Sequence, residues 1–433
     1  MSDTVQTVRP AMNRHLVFAR RSLLVSIWFA ILTFPILVMR ADMSARAVVW
    51  RWSNLIWIIG GTFVGSWIWR VALERKQSGG GSRNGLVSRS LAGVRARVAT
   101  LAQQRHFTAG ASIVLAVIVV AFPFAGGMWQ TNVMITALLY VVLGLGLNII
   151  IGLGGMLHIG YIAFYALGAY SYALLNQNFG LNFWLALPIG ALVGGLASLL
   201  IGIPVLRLRG DYLAIVTLAF AEITRLVLEN WADVTGGTAG IRSIPRPAIP
   251  GIRMTLPQTT VFIYFTMIAL VGFTIFVVYR LENSRIGRQF VAMKEDVIAA
   301  QAMGVNVAKT KLAALGLGGV WAGMAGVVFA ARTTFINPAS FSVWESVIVL
   351  CTVVLGGMGS IPGVMVGALV LILVPEYLRA FVQFRMLLFG AILVTMMVFR
   401  PGGIIQKRRR AYTISAAEQQ QAVTESGDLS TEG

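Results

Sequence analysis

The sequence places four charged side chains on one face of an apolar segment. At 100° per residue, an α-helix over 212–230 would align Glu222, Arg225 and Glu229, with Asp211 just before it on the same face. The spacings of three and four residues allow Arg225 to pair with both glutamates. Charges in apolar surroundings are costly unless they are paired or face water. This stripe is therefore either part of a polar path or subunit interface, or a structural ion pair.

The residue types that most enzymes need are scarce and scattered. His15, His106 and His158 are far apart in the sequence, and none belongs to an HExxH pattern. The single cysteine, Cys351, offers neither a disulfide nor a pair of metal ligands. The phosphate-binding loop GxxxxGK(S/T) does not occur. We therefore expect a protein that is not an enzyme and holds no metal or cofactor, and any ATP hydrolysis that drives it should take place in a separate chain.

Residues 281–310, which we call the polar segment, could dock onto another protein. The segment is too polar to cross a membrane, and its middle predicts a short amphipathic helix that ends at Gly304. Ala299 and Ala300 precede that glycine, and such small side chains would let a partner groove approach closely. The spacing alone leaves two readings open, a docking helix or a solvated connector.

Long apolar runs indicate what surrounds these residues. The chain of 433 residues is 57% hydrophobic and 12% charged, and the apolar residues form runs of about twenty, the length that crosses ~30 Å of hydrocarbon. The fold class is therefore all-α, a polytopic transmembrane helical bundle. Twelve spans are predicted, at 22–39, 52–70, 109–127, 131–152, 156–175, 182–205, 212–230, 259–279, 311–331, 343–358, 361–379 and 385–399. The spans at 156–175 and 343–358 could be broken or re-entrant.

The distribution of basic residues predicts the orientation. With the N-terminus in the cytoplasm, 23 Lys and Arg residues fall in the loops on that side and 7 in the opposite loops. The positive-inside rule then places both termini in the cytoplasm. The net charge of +19 is explained by this topology, because the basic residues lie between apolar runs and not on one soluble face that could bind nucleic acid.

Composition also divides the chain into three parts. Residues 1–108 are predicted to hold two spans and a basic linker that contains a Ser-Gly-Gly-Gly-Ser sequence, and 109–405 to form a ten-span body. Residues 406–433 are rich in Gln, Ser, Thr and Glu and are predicted to be a disordered cytoplasmic tail.

Glycines repeat every four residues in two places. Gly319 and Gly323 form one such set, and Gly359, Gly363 and Gly367 form the other. On a helix, glycines at this spacing lie on one face and allow two backbones to approach closely. We expect both sets to serve helix packing.

Several motifs resemble a known family of membrane proteins. They are Gly-Leu-Gly-Leu-Asn at 144–148, Gly-Ala-Tyr at 168–170, Val-Leu-Arg-Leu-Arg-Gly-Asp-Tyr-Leu-Ala-Ile-Val-Thr-Leu at 205–218, Thr-Gly-Gly-Thr-Ala-Gly-Ile at 235–241 and Val-Leu-Gly-Gly-Met-Gly-Ser at 354–360. Together with Ala-Ala-x-x-x-Gly in the polar segment, they resemble the permease of bacterial branched-chain amino-acid ABC importers, specifically the longer of its two related permease subunits. The resemblance covers about 105–405.

The resemblance implies a location, partners and a set of contact residues. A multi-pass permease of this family lies in the inner membrane with a paralogous permease subunit, two ATP-binding subunits and a periplasmic substrate-binding protein. Coupling to the ATPase is expected at Glu295, Asp296, Ala299, Ala300 and Gly304. The path or subunit interface is expected at Asp211, Glu222, Arg225 and Glu229, and the docking loop for the binding protein at Gly236, Gly237, Gly240 and Ile241.

Other transporters remain as alternatives. A permease for urea or short amides could carry the same motifs. A secondary transporter driven by protons or sodium could use the carboxylates of Glu222 and Glu345 near the membrane centre. A membrane enzyme is disfavoured, because the sequence lacks paired acids, a nucleophile with its base and a metal cluster.

Overall fold

The structure is a computed structural model, and it describes residues 39–42, 47–50, 119–124, 127–208, 210–247, 254–377, 390, 394 and 402–405. Contacts between residues divide the chain into two units, Met1–Val114 and Leu115–Gly433. Several predicted features lie outside the described residues: most of the spans at 22–39 and 385–399, all of the span at 52–70, the linker at 71–108 and the tail at 406–433.

The first unit contains a short β-ribbon. Strand β1, Met39–Asp42, pairs antiparallel with β2, Ala47–Trp50, so that Met39 lies opposite Trp50. The ribbon occupies the connection between the first two predicted spans. The ribbon departs from the predicted all-α fold, because that prediction did not consider strand pairing within the loops.

The elements described in the second unit are helices joined by short irregular segments, together with one isolated bridge between Ile241 and Ile336. The helices are α1 Met128–Asn148, α2 Ile162–Phe179, α3 Phe183–Val205, α4 Asp211–Asn230, α5 Ala232–Thr235, α6 Leu256–Glu282, α7 Arg285–Glu295, α8 Val297–Ala302, α9 Val307–Thr333, α10 Val343–Gly356 and α11 Ile361–Tyr377. A π-helical turn at Ile149–Leu153 extends α1, and 3₁₀ turns lie at Gly237–Ala239 and Pro338–Phe341.

Five helices of the described part are long and apolar enough to cross a membrane. They are Met128–Leu153, Phe183–Val205, Leu256–Glu282, Val307–Thr333 and Pro338–Gly356, and Ile361–Tyr377 is a shorter apolar helix. These bounds match the predicted spans closely, because long apolar runs are a strong local signal. The described part therefore confirms a polytopic helical membrane fold.

The predicted span at 156–175 is broken at its start. After the π-helical turn, residues 154–161 are largely irregular and buried, and regular helix resumes only at Ile162. The amide of Met156 donates to the carbonyl of Ile150, six residues back, where an α-helix would use the residue four back. An irregular backbone at membrane depth requires such burial against protein, as anticipated for this segment.

Glycines bring α2, α3 and α9 into close contact. A Cβ added at Gly323 would overlap the carbonyl oxygen of Gly190, and one at Gly319 would lie 2.5 Å from the carbonyl oxygen of Gly194. A Cβ at Gly168 would overlap the Gly323 carbonyl in turn. The packing role predicted for Gly319 and Gly323 is confirmed.

The second glycine set is only partly helical. Gly363 and Gly367 lie on α11 against the backbone of α10, as predicted. Gly359 instead lies in the turn between the two helices with φ of +85°. The prediction that it shares the helix face is wrong, because the chain reverses direction at Gly357–Ser360 and the helical spacing does not begin until Ile361.

Candidate functional site

The polar segment folds as two short helices joined at Asp296. Ser284 caps α7 by accepting a hydrogen bond from the amide of Gly287 at 3.1 Å. The carboxylate of Asp296 caps α8 by accepting from the amides of Ile298 at 2.7 Å and Ala299 at 2.9 Å. The single helix predicted here is divided because Asp296 has extended backbone angles.

Gly304 ends α8 as predicted. Its φ of +83° is left-handed, which glycine adopts without steric cost. The amide of Gly304 donates to the carbonyl of Gln301 and that of Val305 to the carbonyl of Ala300, both at 3.0 Å. This pair of bonds is a Schellman motif, and it turns the chain into α9.

The two alanines of α8 face opposite ways. Ala300 is 5% exposed and packs against this chain, whereas Ala299 is exposed. Two large apolar side chains on α8 and its end are also uncovered, since Ile298 is 73% exposed and Met303 is 86% exposed. We call Ile298, Ala299 and Met303 the apolar ridge. The sequence prediction missed Ile298 and Met303, although their place in an otherwise polar segment was the signal that could have identified them.

The face of α7 that packs against the chain is well anchored. Phe290 is 0% exposed and Met293 is 3% exposed. The next residue, Lys294, donates from Nζ to the carbonyl oxygen of Gly152 at 2.8 Å. The polar segment is therefore fixed to the π-helical turn that extends α1.

The charged stripe on α4 forms the predicted ion pairs. Arg225 Nη2 lies 2.5 Å from Oε1 of Glu222, and Nη1 lies 2.6 Å from Oε2 of Glu229. All three side chains are partly exposed on the surface of this chain. Asp211 lies apart from them in the first turn of α4. The triad holds two carboxylates and one guanidinium, so it carries a net negative charge.

The glycine loop, residues 235–241, has a defined conformation. The hydroxyl of Thr235 donates to the carbonyl of Leu228 at 2.6 Å, and Gly236, Gly237 and Gly240 all have positive φ. A Cβ on Gly240 would overlap the carbonyl oxygen of Ile336.

Only part of that loop is accessible. Ile241 is buried and exchanges two backbone hydrogen bonds with Ile336, at 2.9 and 3.0 Å. Gly237 is also buried, whereas Gly236 is exposed. Trp231 and Val234 beside the loop are exposed as well. A partner at this surface would contact Gly236, Trp231 and Val234, and not the buried side chain of Ile241.

One carboxylate lies among the apolar helices without a basic partner in the described residues. Glu345, in the first turn of α10, accepts a hydrogen bond from the hydroxyl of Tyr140 on α1. From the sequence, Glu345 was predicted only as a possible ion site. Its contact with Tyr140 was not predictable, because the two residues lie 205 positions apart in the chain.

The chain is similar in sequence to transport proteins. The family described as branched-chain amino acid transport system / permease component matches residues 130–399. The high-affinity branched-chain amino acid transport system permease protein LivM of Salmonella typhimurium is 41% identical over 315 residues, covering 68% of this chain and 74% of LivM. LivM of Escherichia coli is 41% identical over 317 residues, covering 69% and 75%.

A second, more distant permease protein also matches. The high-affinity branched-chain amino acid transport system permease protein LivH of Salmonella typhimurium is 23% identical over 291 residues, covering 61% of this chain and 91% of LivH. No solved structure matches the chain. One organism therefore has two permease proteins that both match this sequence, one much more closely than the other.

Proposed function

Because the chain belongs to the family of branched-chain amino acid transport system permease components, we propose that it is the longer of two permease subunits through which an ATP-driven importer moves leucine, isoleucine and valine. The observation that carries this proposal is the 41% identity to LivM over two thirds of the chain. The chain is a multi-pass membrane protein and a transport subunit, not an enzyme.

The partners follow from the way such a subunit must work. The sequence contains no phosphate-binding loop, so separate chains supply the energy, and the resemblance to the importer family implies two ATP-binding subunits. The similarity to both LivM and LivH supports a paralogous permease subunit across the path. A periplasmic binding protein delivers the amino acid, and each partner shifts the conformational equilibrium by favouring one state.

The proposed topology has twelve spans in the inner membrane. Two lie in residues 1–108, ten lie in 109–405, and both termini and the tail at 406–433 are cytoplasmic. The support is the bias of 23 basic residues against 7 between the two sets of loops.

In this orientation each surface has one partner. The apolar ridge meets an ATPase subunit, because exposed apolar side chains in a polar segment indicate a protein interface. Asp296 and Gly304 shape that surface, and Glu295 lies at its edge. The glycine loop faces the periplasm and the binding protein. The triad of Glu222, Arg225 and Glu229 faces the path or the partner permease, since partly exposed charges on a spanning helix are expensive against lipid.

Reconstituted vesicles test the source of energy. We expect leucine uptake only when the permease partner, the ATPase subunits, ATP and a loaded binding protein are all present. Uptake driven by a proton or sodium gradient without ATPases would contradict the importer. Urea or a short amide taken up in preference to leucine would retain the importer and change its substrate.

Cysteine labelling tests the orientation. Single cysteines at Ser82 and Gln301 should react only with a reagent supplied from the cytoplasm, and one at Thr238 only from the outside. Gln301 and Thr238 are both exposed in this chain. The opposite labelling pattern would reverse the topology and remove the polar segment from reach of the ATPases.

A further inference from the structure

A lysine joins the polar segment to the broken helix. Lys294, at the penultimate position of α7, donates from Nζ to the carbonyl oxygen of Gly152 at 2.8 Å. The backbones also approach closely here, since a Cβ on Gly155 would lie 3.2 Å from Cα of Lys294. A hydrogen bond from an ammonium group is stronger than one between neutral groups.

The irregular helix geometry makes that carbonyl available. Gly152 belongs to the π-helical turn, where the amides of Gly155 and Met156 donate to the carbonyls of Ile151 and Ile150. In a regular α-helix the amide of Met156 would have donated to Gly152. The Gly152 carbonyl accepts a hydrogen bond from Nζ of Lys294 instead.

A second contact continues from the same turn. Asn148, the last residue of α1, is 1% exposed and accepts the amide of Gly359 on Oδ1 at 2.8 Å. Gly359 lies in the turn between α10 and α11, and a Cβ placed on it would be 3.2 Å from the Gly152 carbonyl oxygen. The contacts of Lys294 and Asn148 therefore meet at Gly152.

We propose that Lys294 is a positioning residue that transmits movement of α7 and α8 to the break in α1, and through Asn148 to the turn between α10 and α11. The proposal rests on the proposed function, because it assumes that an ATPase moves the polar segment. It assigns a role to one residue in each of two motifs, Asn148 at the end of 144–148 and Gly359 within 354–360. A π-helical turn suits this role, because such turns inside α-helices are frequent at functional sites.

The test uses the fully assembled importer in vesicles. Lys294→Met keeps most of the side-chain length and removes the donors, Lys294→Arg keeps charge and donors, and Lys309→Met removes an exposed lysine from the same segment as a control. We measure leucine uptake, ATPase retention, and the stimulation of ATP hydrolysis by loaded binding protein, each per assembled complex.

We expect Lys294→Met to retain its ATPases but lose about tenfold in uptake and most of the stimulated hydrolysis. Lys294→Arg should recover part of both, and Lys309→Met should match the wild type. Unchanged uptake and stimulation in Lys294→Met would overturn the proposal. If Lys294→Met fails to assemble while Lys294→Arg assembles, Lys294 has a folding role and the proposal is also overturned. A wild type without ATP-dependent uptake would instead refute the importer itself.

A double variant tests whether the two contacts act in series. Asn148→Leu removes the acceptor of the Gly359 amide, and we expect it to reduce uptake about as much as Lys294→Met. Because residues acting through one element are not additive, the double variant should lose little more than either single variant. A loss equal to the product of the two single losses would show independent roles and overturn the serial connection.

Discussion

Replacing Ile298 and Met303 together by aspartate is expected to abolish ATP-driven uptake while the chain still inserts and folds. Both side chains are largely exposed, so neither change removes a contact from the interior of this chain. Against a covering ATPase, each aspartate would be a buried group without a partner, at a cost of about 1–3 kcal/mol. Since 1.4 kcal/mol is a factor of ten, ATPase binding should weaken about a hundredfold or more. Co-purification of the ATPase subunits and uptake in vesicles measure the effect.

The control is Ala308→Asp, which adds one aspartate to an exposed position in the first turn of α9. An acidic residue is favourable at a helix N-terminus, so this variant should retain its ATPases. Normal ATPase retention in Ile298→Asp/Met303→Asp would show that the apolar ridge is not the contact surface. If Ala308→Asp loses its ATPases to the same extent as the double variant, ATPase binding is sensitive to added negative charge and not specifically to the apolar ridge.

Replacing Gly323 by alanine is expected to destabilise the bundle strongly, although it adds a single methyl group. That methyl would overlap the backbone carbonyl of Gly190, which cannot rotate away as a side chain could. The helices α3 and α9 must then separate, and overpacking of this kind costs about 1–3 kcal/mol or more. Thermal unfolding of the detergent-solubilised protein measures the loss.

Gly272 provides a control within α6, because nothing lies within 4 Å of a Cβ added there. Gly272→Ala should leave stability unchanged or raise it by up to about 1 kcal/mol, the difference in helix propensity. A melting temperature for Gly323→Ala equal to that of Gly272→Ala would contradict the close approach of α3 and α9. A large loss in both would mean that glycine is needed in these helices for a reason other than packing.

Local features of the structure were predictable from sequence. The five long apolar helices of the described part begin and end within five residues of the predicted spans, because each depends on a continuous apolar run. The pairing of Arg225 with Glu222 and Glu229 was predictable for the same reason, since it depends only on helical periodicity. The left-handed conformation of Gly304 follows from its position after a helix.

Contacts between distant parts of the chain were not predictable. Lys294 meets Gly152 across 142 residues, and Tyr140 meets Glu345 across 205. No periodicity in one segment records such a partner, because it is fixed by how the helices pack. The burial of Ala300 beside the exposed Ala299 has the same cause, since the two residues are alike in sequence and differ only in which side faces the bundle.

In the proposed topology, the length of α9 has a consequence for coupling between the two sides of the membrane. Its 27 residues make a rod of about 40 Å, which begins three residues after Gly304 and ends three residues before the pairing of Ile336 with Ile241. In the proposed importer, this helix would connect the ATPase subunit near its first residue with the binding protein near its last, and would couple the binding equilibria of the two partners. Such linkage is reciprocal. If ATP binding lowers the affinity of the complex for the loaded binding protein by some factor, the loaded binding protein must lower the affinity for ATP by the same factor.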